Sequence, residues 1–277
     1  MVKVLIAAGI VQGLGDFVPV RLPLSNIFAR LIFVFGTAVA SALPFFVSAG
    51  EVRVAAAANF FDTATEVVKS FEQTSGHTAV LSFGSTGQIY TQITQGAPFD
   101  VFLAADQVRP ALAESEGHAV PGTRFTYAVG RLVLYSVDPT RVRGERSLEE
   151  GAFNKLAIAN PVTAPYGAAS LEVLNGLGLY DALGARIVQG NTIAQTYQFI
   201  ASGNAEVGLV ALSQVARHRS GSRWLVPETL HSRIAQDAVL LRRGEDNEAA
   251  RAFVAFLKEP TARAVMEKFG YETDEYP

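Results

Sequence analysis

From Val52 onward, short apolar runs alternate with segments of helical periodicity, and this alternation limits the fold more than any other feature of the chain. Strands that recur between helices pair most simply as parallel neighbours, because each helix carries the chain back across the sheet. Residues 52–57 read as a buried strand. Asn59 then opens a helix in which Phe60, Ala64, Val67 and Phe71 keep helical spacing until Gly76 stops it. A second unit runs from strand 78–83 through Gly84-Ser85-Thr86-Gly87 into a helix carrying Ile89 and Ile93. A third joins strand 100–104 to a helix from about Asp106. Residues 125–137 are extended throughout, with Gly130 among them, and are long enough to leave one lobe and enter another. The pattern then restarts with strand 155–159, the turn Pro165-Tyr166-Gly167 and a helix bearing Ala168, Leu171 and Leu174. Asn191-Thr192, a helix with Ile193, Tyr197 and Ile200, and strand 207–211 follow. A strand at 234–241 and two helices separated by Pro260 end the chain. The expectation is an α/β protein with largely parallel sheets.

The first fifty residues differ from the rest. Arg30 precedes an apolar stretch from Leu31 to Val47, closed by Ser48 and Ala49, which reads as a secretory signal cleaved near Ala49. A membrane anchor is the competing reading, since the run is about long enough to span a bilayer. Pro44 and the small residues at its end favour cleavage. The earlier apolar stretch at 4–11 is assigned no role. The leader is therefore taken as 1–49.

Four junctions carry the chemistry: Ala58-Asn59, Gly84-Ser85-Thr86-Gly87, Pro165-Tyr166-Gly167 and Asn191-Thr192-Ile193. Each falls where a helix is expected to begin. There the first N–H groups lack intrahelical partners, and the helix dipole adds about half a positive charge. Small residues admit an oxyanion to the backbone, and Ser, Thr and Asn add side-chain hydrogen bonds. Taken singly, each junction also has a plain structural reading: Asn59 and Asn191 as helix caps, Tyr166 as an aromatic space filler. None of the four contains Lys or Arg, so an anion held there meets neutral donors.

Composition removes several alternatives. The formal charge of −3 gives no basic surface for nucleic acid, and loss of a leader with Lys3, Arg21, Arg30 and Asp16 makes it more negative. The absence of cysteine excludes disulfides and thiolate metal sites. His77, His118, His218 and His231 show no metal-ligand spacing. Gly84–Gly87 lacks the lysine of a nucleotide loop, and Ser85 is not in a G-x-S-x-G elbow. Asp100 and Asp106 read as a strand-entry residue and a helix cap.

The strings VAAAANF (54–60), SFGSTGQIYTQI (82–93), GAPFDVFLAAD (96–106), AIANPVTAPYG (157–167), VGLVALSQV (207–215) and KFGY (268–271) occur in one order over about 50–277. In that order and spacing the chain resembles the periplasmic molybdate-binding family, the substrate-binding proteins of molybdate ABC transporters. The resemblance implies a type II periplasmic-binding fold of two α/β lobes, with lobe 1 over 50–128 and 230–277 and lobe 2 over 129–229. It implies an anion between the lobes, held by Asn59 and Thr86 with Ala58 and Ser85 beside them, and by Tyr166 and Ile193 through their backbone N–H groups. It also implies a periplasmic monomer that meets a membrane permease, with molybdate or tungstate as ligand and no other cofactor, cation ligand or nucleic acid. Two departures bear on affinity. Ala58 stands where some members carry a hydroxyl, and Ala211 stands where another branch has a ligand tyrosine. The competing functions are a binder of phosphate or sulfate and, in another class, an exported hydrolase using Ser85.

Overall fold

The computed structural model describes residues 49–273, so the expected leader, Ala49 apart, lies outside the described residues. Two five-stranded sheets organise the described chain. In the first, β1 (Glu51–Ala57), β2 (Thr78–Gly84), β3 (Val101–Leu103) and β4 (Phe125–Gly130) are joined by a strand from the far end of the sequence, β10 (Ile234–Leu240), in the order β2-β1-β3-β10-β4. The second contains β5 (Leu132–Ser136), β6 (Leu156–Ala159), β7 (Ile187–Gly190), β8 (Val207–Ala211) and β9 (Ser222–Leu225), in the order β7-β6-β8-β5-β9.

Each sheet is parallel except for one strand. β10 runs antiparallel to both β3 and β4, and β5 runs antiparallel to both β8 and β9. These two reversed strands are the ones that arrive from the other sheet, β5 directly after β4 through Arg131 and β10 after β9. A strand entering a lobe at the cleft must run away from it, whereas the parallel strands run toward it. The carboxyl ends of the parallel strands in both sheets therefore face the cleft, where open α/β sheets bind ligands.

Helices cover both faces of each sheet, so the strands are apolar at consecutive positions. In the first sheet Val52, Val54, Ala56, Val101 and Leu103 pack with Phe60, Val67 and Phe71 of the first helical segment and with Phe253, Phe256 and Met266 near the C-terminus. Ala55, Phe102 and Val239 point the other way, onto Ile89 and Ile93. The helices are α1 (Phe61–Ser75), α2 (Thr86–Thr94), α3 (Val108–Ser115), α4 (Arg146–Glu149), α5 (Pro165–Gly176), α6 (Tyr180–Leu183), α7 (Ile193–Ala201), α8 (Leu212–Val215), α9 (Glu248–Phe256) and α10 (Pro260–Lys268). Gly76 ends α1 in the left-handed region at φ 73°, as its place in the sequence suggests.

Two helix openings depart from the sequence reading. Asn59 does not cap a helix. It sits inside a 3-10 turn, Ala58–Phe60, that precedes α1, and its side chain is spent elsewhere. At the fourth junction Thr192, not Asn191, is the cap, its hydroxyl accepting from Gln195 N at 3.1 Å.

Candidate functional site

The four junctions meet. Ala57, Ala58 and Asn59 at the end of β1, Gly84, Ser85 and Thr86 at the end of β2, Ala105 after β3, Ala164, Pro165 and Tyr166 after β6, and Ile193 after β7 line one cavity of about 10 Å³. That volume is far below the roughly 300–1,000 Å³ typical of sites for organic ligands, so the space suits nothing larger than an ion of a few atoms. Asn59, Ser85, Thr86, Tyr166 and Ile193 are all buried, and no lining side chain bears a charge. The ion pair of Asp106 with Arg109 lines an adjoining open groove that shares Ala105 and Pro165 with the cavity.

The donors can be counted one by one. Thr86 Oγ1 accepts from Ala105 N at 3.0 Å, which leaves its own proton uncommitted. Ser85 Oγ is buried with no partner in the protein, so its hydroxyl is available to whatever occupies that space; a buried hydroxyl left unmet costs about 1–3 kcal/mol. At the helix mouths several N–H groups are already used: Gly87 N by Thr163 O, Gly167 N and Ala168 N by Ala164 O, and Gln195 N by Thr192 Oγ1. The first-turn N–H groups of Thr86, Tyr166 and Ile193 have no carbonyl in their own helices to receive them. Gly167 permits this arrangement, because a Cβ there would lie 2.3 Å from Ala159 O.

The two lobes touch around this cavity. Gly87 N donates to Thr163 O at 2.9 Å, Arg109 Nη2 to Val162 O at 2.9 Å and Ser213 Oγ to Asn59 O at 2.8 Å. On the outer rim Arg217 pairs with Glu66 at 2.8 Å, and Lys268 joins it at 2.9 Å; the hydrogen bond from Lys268 lowers the Glu66 pKa first, and Arg217 adds to the effect.

Residues 52–272 match the family described as bacterial extracellular solute-binding protein. The chain belongs to this family. Among relatives of this solute-binding protein, the molybdate-binding protein ModA of Rhodobacter capsulatus is 51% identical over 227 residues, covering 82% of this chain and 90% of that one. ModA of Azotobacter vinelandii is 49% identical over 247 residues, covering 88% and 97%. The solved periplasmic molybdate-binding protein of Azotobacter vinelandii superposes with a TM-score of 0.78 at 39% identity, over 80% of this chain and 99% of that one. The two sheets and their crossing strands are thus the type II periplasmic-binding fold that the resemblance implies.

Several residues of this solute-binding protein's site have no signal in the sequence. Gln236 on β10 is wholly buried; its Oε1 lies 2.9 Å from Asn59 Nδ2 and 3.1 Å from the Tyr127 hydroxyl, and its Nε2 lies 3.1 Å from the Tyr166 hydroxyl. Tyr271 hydroxyl stands 2.9 Å from Asn59 Nδ2 and 3.0 Å from both Asn59 O and Ser213 Oγ. Only Tyr271 lies in a quoted family string, as the last residue of KFGY. Burial pushes the phenols of Tyr127, Tyr166 and Tyr271 upward, so all three stay neutral where the protein works. A phenol whose folded pKa is raised stabilises the fold fully below the unfolded value, near 10, and that contribution is lost as pH rises beyond it. The urea midpoint is therefore expected to fall between about pH 9.5 and 11, and Tyr127→Phe should flatten part of that fall.

Proposed function

We propose that this protein captures molybdate outside the cytoplasm, with tungstate as a second accepted anion, and delivers it to the membrane permease of an ABC importer without catalysing any reaction. The observation that carries this reading is a small cavity that offers an orphaned Ser85 hydroxyl, the free Thr86 proton and first-turn N–H groups, and no charged side chain. Oriented dipoles in a dry site can hold a dianion because the low local dielectric strengthens each bond. The similarity to the molybdate-binding proteins of Rhodobacter capsulatus and Azotobacter vinelandii supplies the choice of anion. In this reading Asn59, Ser85 and Thr86 bind from the first lobe and the N–H groups of Tyr166 and Ile193 from the second, with Ala58 packing beside them. Closure follows from ligand binding to the form in which the lobes meet. Residues 1–49 act as the export signal.

The hydrolase alternative needs a base beside Ser85, and no histidine, aspartate or glutamate lines the cavity. Selection among tetrahedral dianions falls to size, since shape and charge are shared. Calorimetry on residues 50–277 with molybdate, tungstate, sulfate and phosphate tests the assignment; sulfate or phosphate binding as tightly as molybdate would sink it. Ser85→Ala is expected to weaken molybdate about 10-fold, near the lower end of the value of a hydrogen bond to a charged group. The ligand-free melting temperature should hold or rise, because the orphaned hydroxyl is gone.

A further inference from the structure

Asn59 presents a difficulty for anion binding that its neighbours resolve. Its Nδ2 is occupied by Gln236 Oε1 and the Tyr271 hydroxyl, both at 2.9 Å, so the carboxamide end left for the cavity it lines is the oxygen, which repels an anion. A concerted half-turn of the Asn59 and Gln236 carboxamides keeps the contacts of these two side chains with each other and with Tyr127, Tyr166 and Tyr271, and exchanges their direction. Gln236 Nε2 then donates to Asn59 Oδ1 and to the Tyr127 oxygen, Tyr127 keeps its bond to Ala104 O (3.1 Å), and Tyr271 donates to Asn59 Oδ1. Gln236 Oε1 meanwhile accepts from the Tyr166 hydroxyl. The Tyr271 proton then leaves Asn59 O, which keeps its bond from Ser213 Oγ, the Tyr166 proton leaves Tyr271, and the Asn59 N–H groups are released toward the cavity. A carboxamide can serve both arrangements because it carries a donor and an acceptor at nearly equal positions.

The backbone around Gln236 is built to hold it there. The register of β10 against β4 slips between Gln236 and Asp237, a local irregularity of the kind that re-aims a side chain beside a site. Across from Ile234, two residues before Gln236, Gly130 leaves open the space that the Tyr166 hydroxyl and Gln236 Nε2 share: a Cβ at 130 would lie 1.9 Å from the first and 2.5 Å from the second. Gln236 and Asn59 belong to the first lobe and Tyr166 to the second, so the Gln236–Tyr166 bond exists only while the lobes are closed.

We propose that Gln236 is a positioning residue: it turns the Asn59 carboxamide so that a donor faces the bound oxyanion, and by the same movement latches Tyr166 across the cleft. An anion in the cavity and a closed cleft are then two ends of one hydrogen-bonded chain, and each favours the other. This rests on the oxyanion reading above, and it predicts a coupling that simple packing would not produce. Gln236→Leu removes the relay, and Tyr166→Phe removes only its far end, a hydroxyl engaged by Gln236 and by Tyr271.

The experiment is a double-mutant cycle on residues 50–277, read by molybdate calorimetry. A second readout is the interlobe distance between spin labels on Thr94→Cys and Asp181→Cys, which are unique sites because the chain has no cysteine. Each single variant should lose about 10-fold or more in affinity, and the double variant should lose no more than the worse single one. Ligand-free Gln236→Leu should sample longer interlobe distances than ligand-free wild type. Tyr166→Phe binding as tightly as wild type, or losses that multiply in the double variant, would overturn the proposal. Should wild type bind none of the four oxyanions, the molybdate reading fails by itself. The latch is then judged on the ligand-free distances, and unchanged distances in Gln236→Leu would overturn it.

Discussion

Gly130→Ala is expected to lower molybdate affinity about 100-fold, or roughly 2.7 kcal/mol, while the ligand-free protein keeps its fold. The added methyl would lie 1.9 Å from the Tyr166 hydroxyl and 2.9 Å from its Cζ, distances that no side-chain adjustment of a fully buried ring can absorb. The collision with Tyr166 exists only when the second lobe brings that ring against β4; the other close approach, 2.5 Å to Gln236 Nε2, meets the far end of a side chain that can turn aside. An open protein escapes it, so the variant should melt near the wild-type temperature yet resist closure. Overpacking a well-filled interior costs about 1–3 kcal/mol, which is the size of the expected loss. Adding Tyr166→Phe removes the atom at 1.9 Å and should recover part of the affinity, although Tyr166→Phe alone weakens binding. Equal affinity in Gly130→Ala and wild type would mean that the ligand is bound without this closure.

Ile193→Pro is expected to weaken molybdate by about 10–100-fold, the value of one hydrogen bond to a charged group, 1.5–3 kcal/mol. Ile193 is the first residue of α7, where proline is tolerated because that N–H has no helical acceptor. The preceding Thr192 lies at φ −135° and ψ 161°, the extended region that a following proline requires. The substitution therefore removes one N–H with little disturbance to the backbone. Ile193→Val keeps the N–H and should bind within a few-fold of wild type. The same test is unsuitable at Tyr166, because a proline there would follow the helical Pro165. Calorimetry on the pair decides the matter: equal losses in Ile193→Pro and Ile193→Val would assign the effect to packing and remove the N–H from the ligand set.

Much of the architecture was legible because both faces of each sheet are covered. That burial writes each strand as a continuous apolar run, and the helices between them carry their own period. The extended run at 125–137 announced a passage between lobes, and the structure divides it at Arg131 between β4 and β5. The four junctions were legible through their small and polar residues, and they do surround one cavity. What the sequence hid is the layer behind them. Gln236 sits in an apolar strand with nothing at fixed spacing to mark it, and its partners Asn59, Tyr127 and Tyr166 lie far away along the chain. Asn59 was misread as a cap because a local preference for helix starts looks the same as a tertiary network until the distant partners are known.

The exchange of one strand between the sheets also orders events in time as the chain emerges during export. All five strands of the second sheet lie between residues 132 and 225, so that half is complete as a continuous piece. The first sheet has β10 at its interior, between β3 and β4, and residues 234–240 appear only after every strand of the second sheet. Until they do, β4 has no edge to join, and neither the bulge that aims Gln236 nor the slot beside Gly130 exists. The half that begins first is finished last, and the cavity between the two sheets assembles only after the second half is complete.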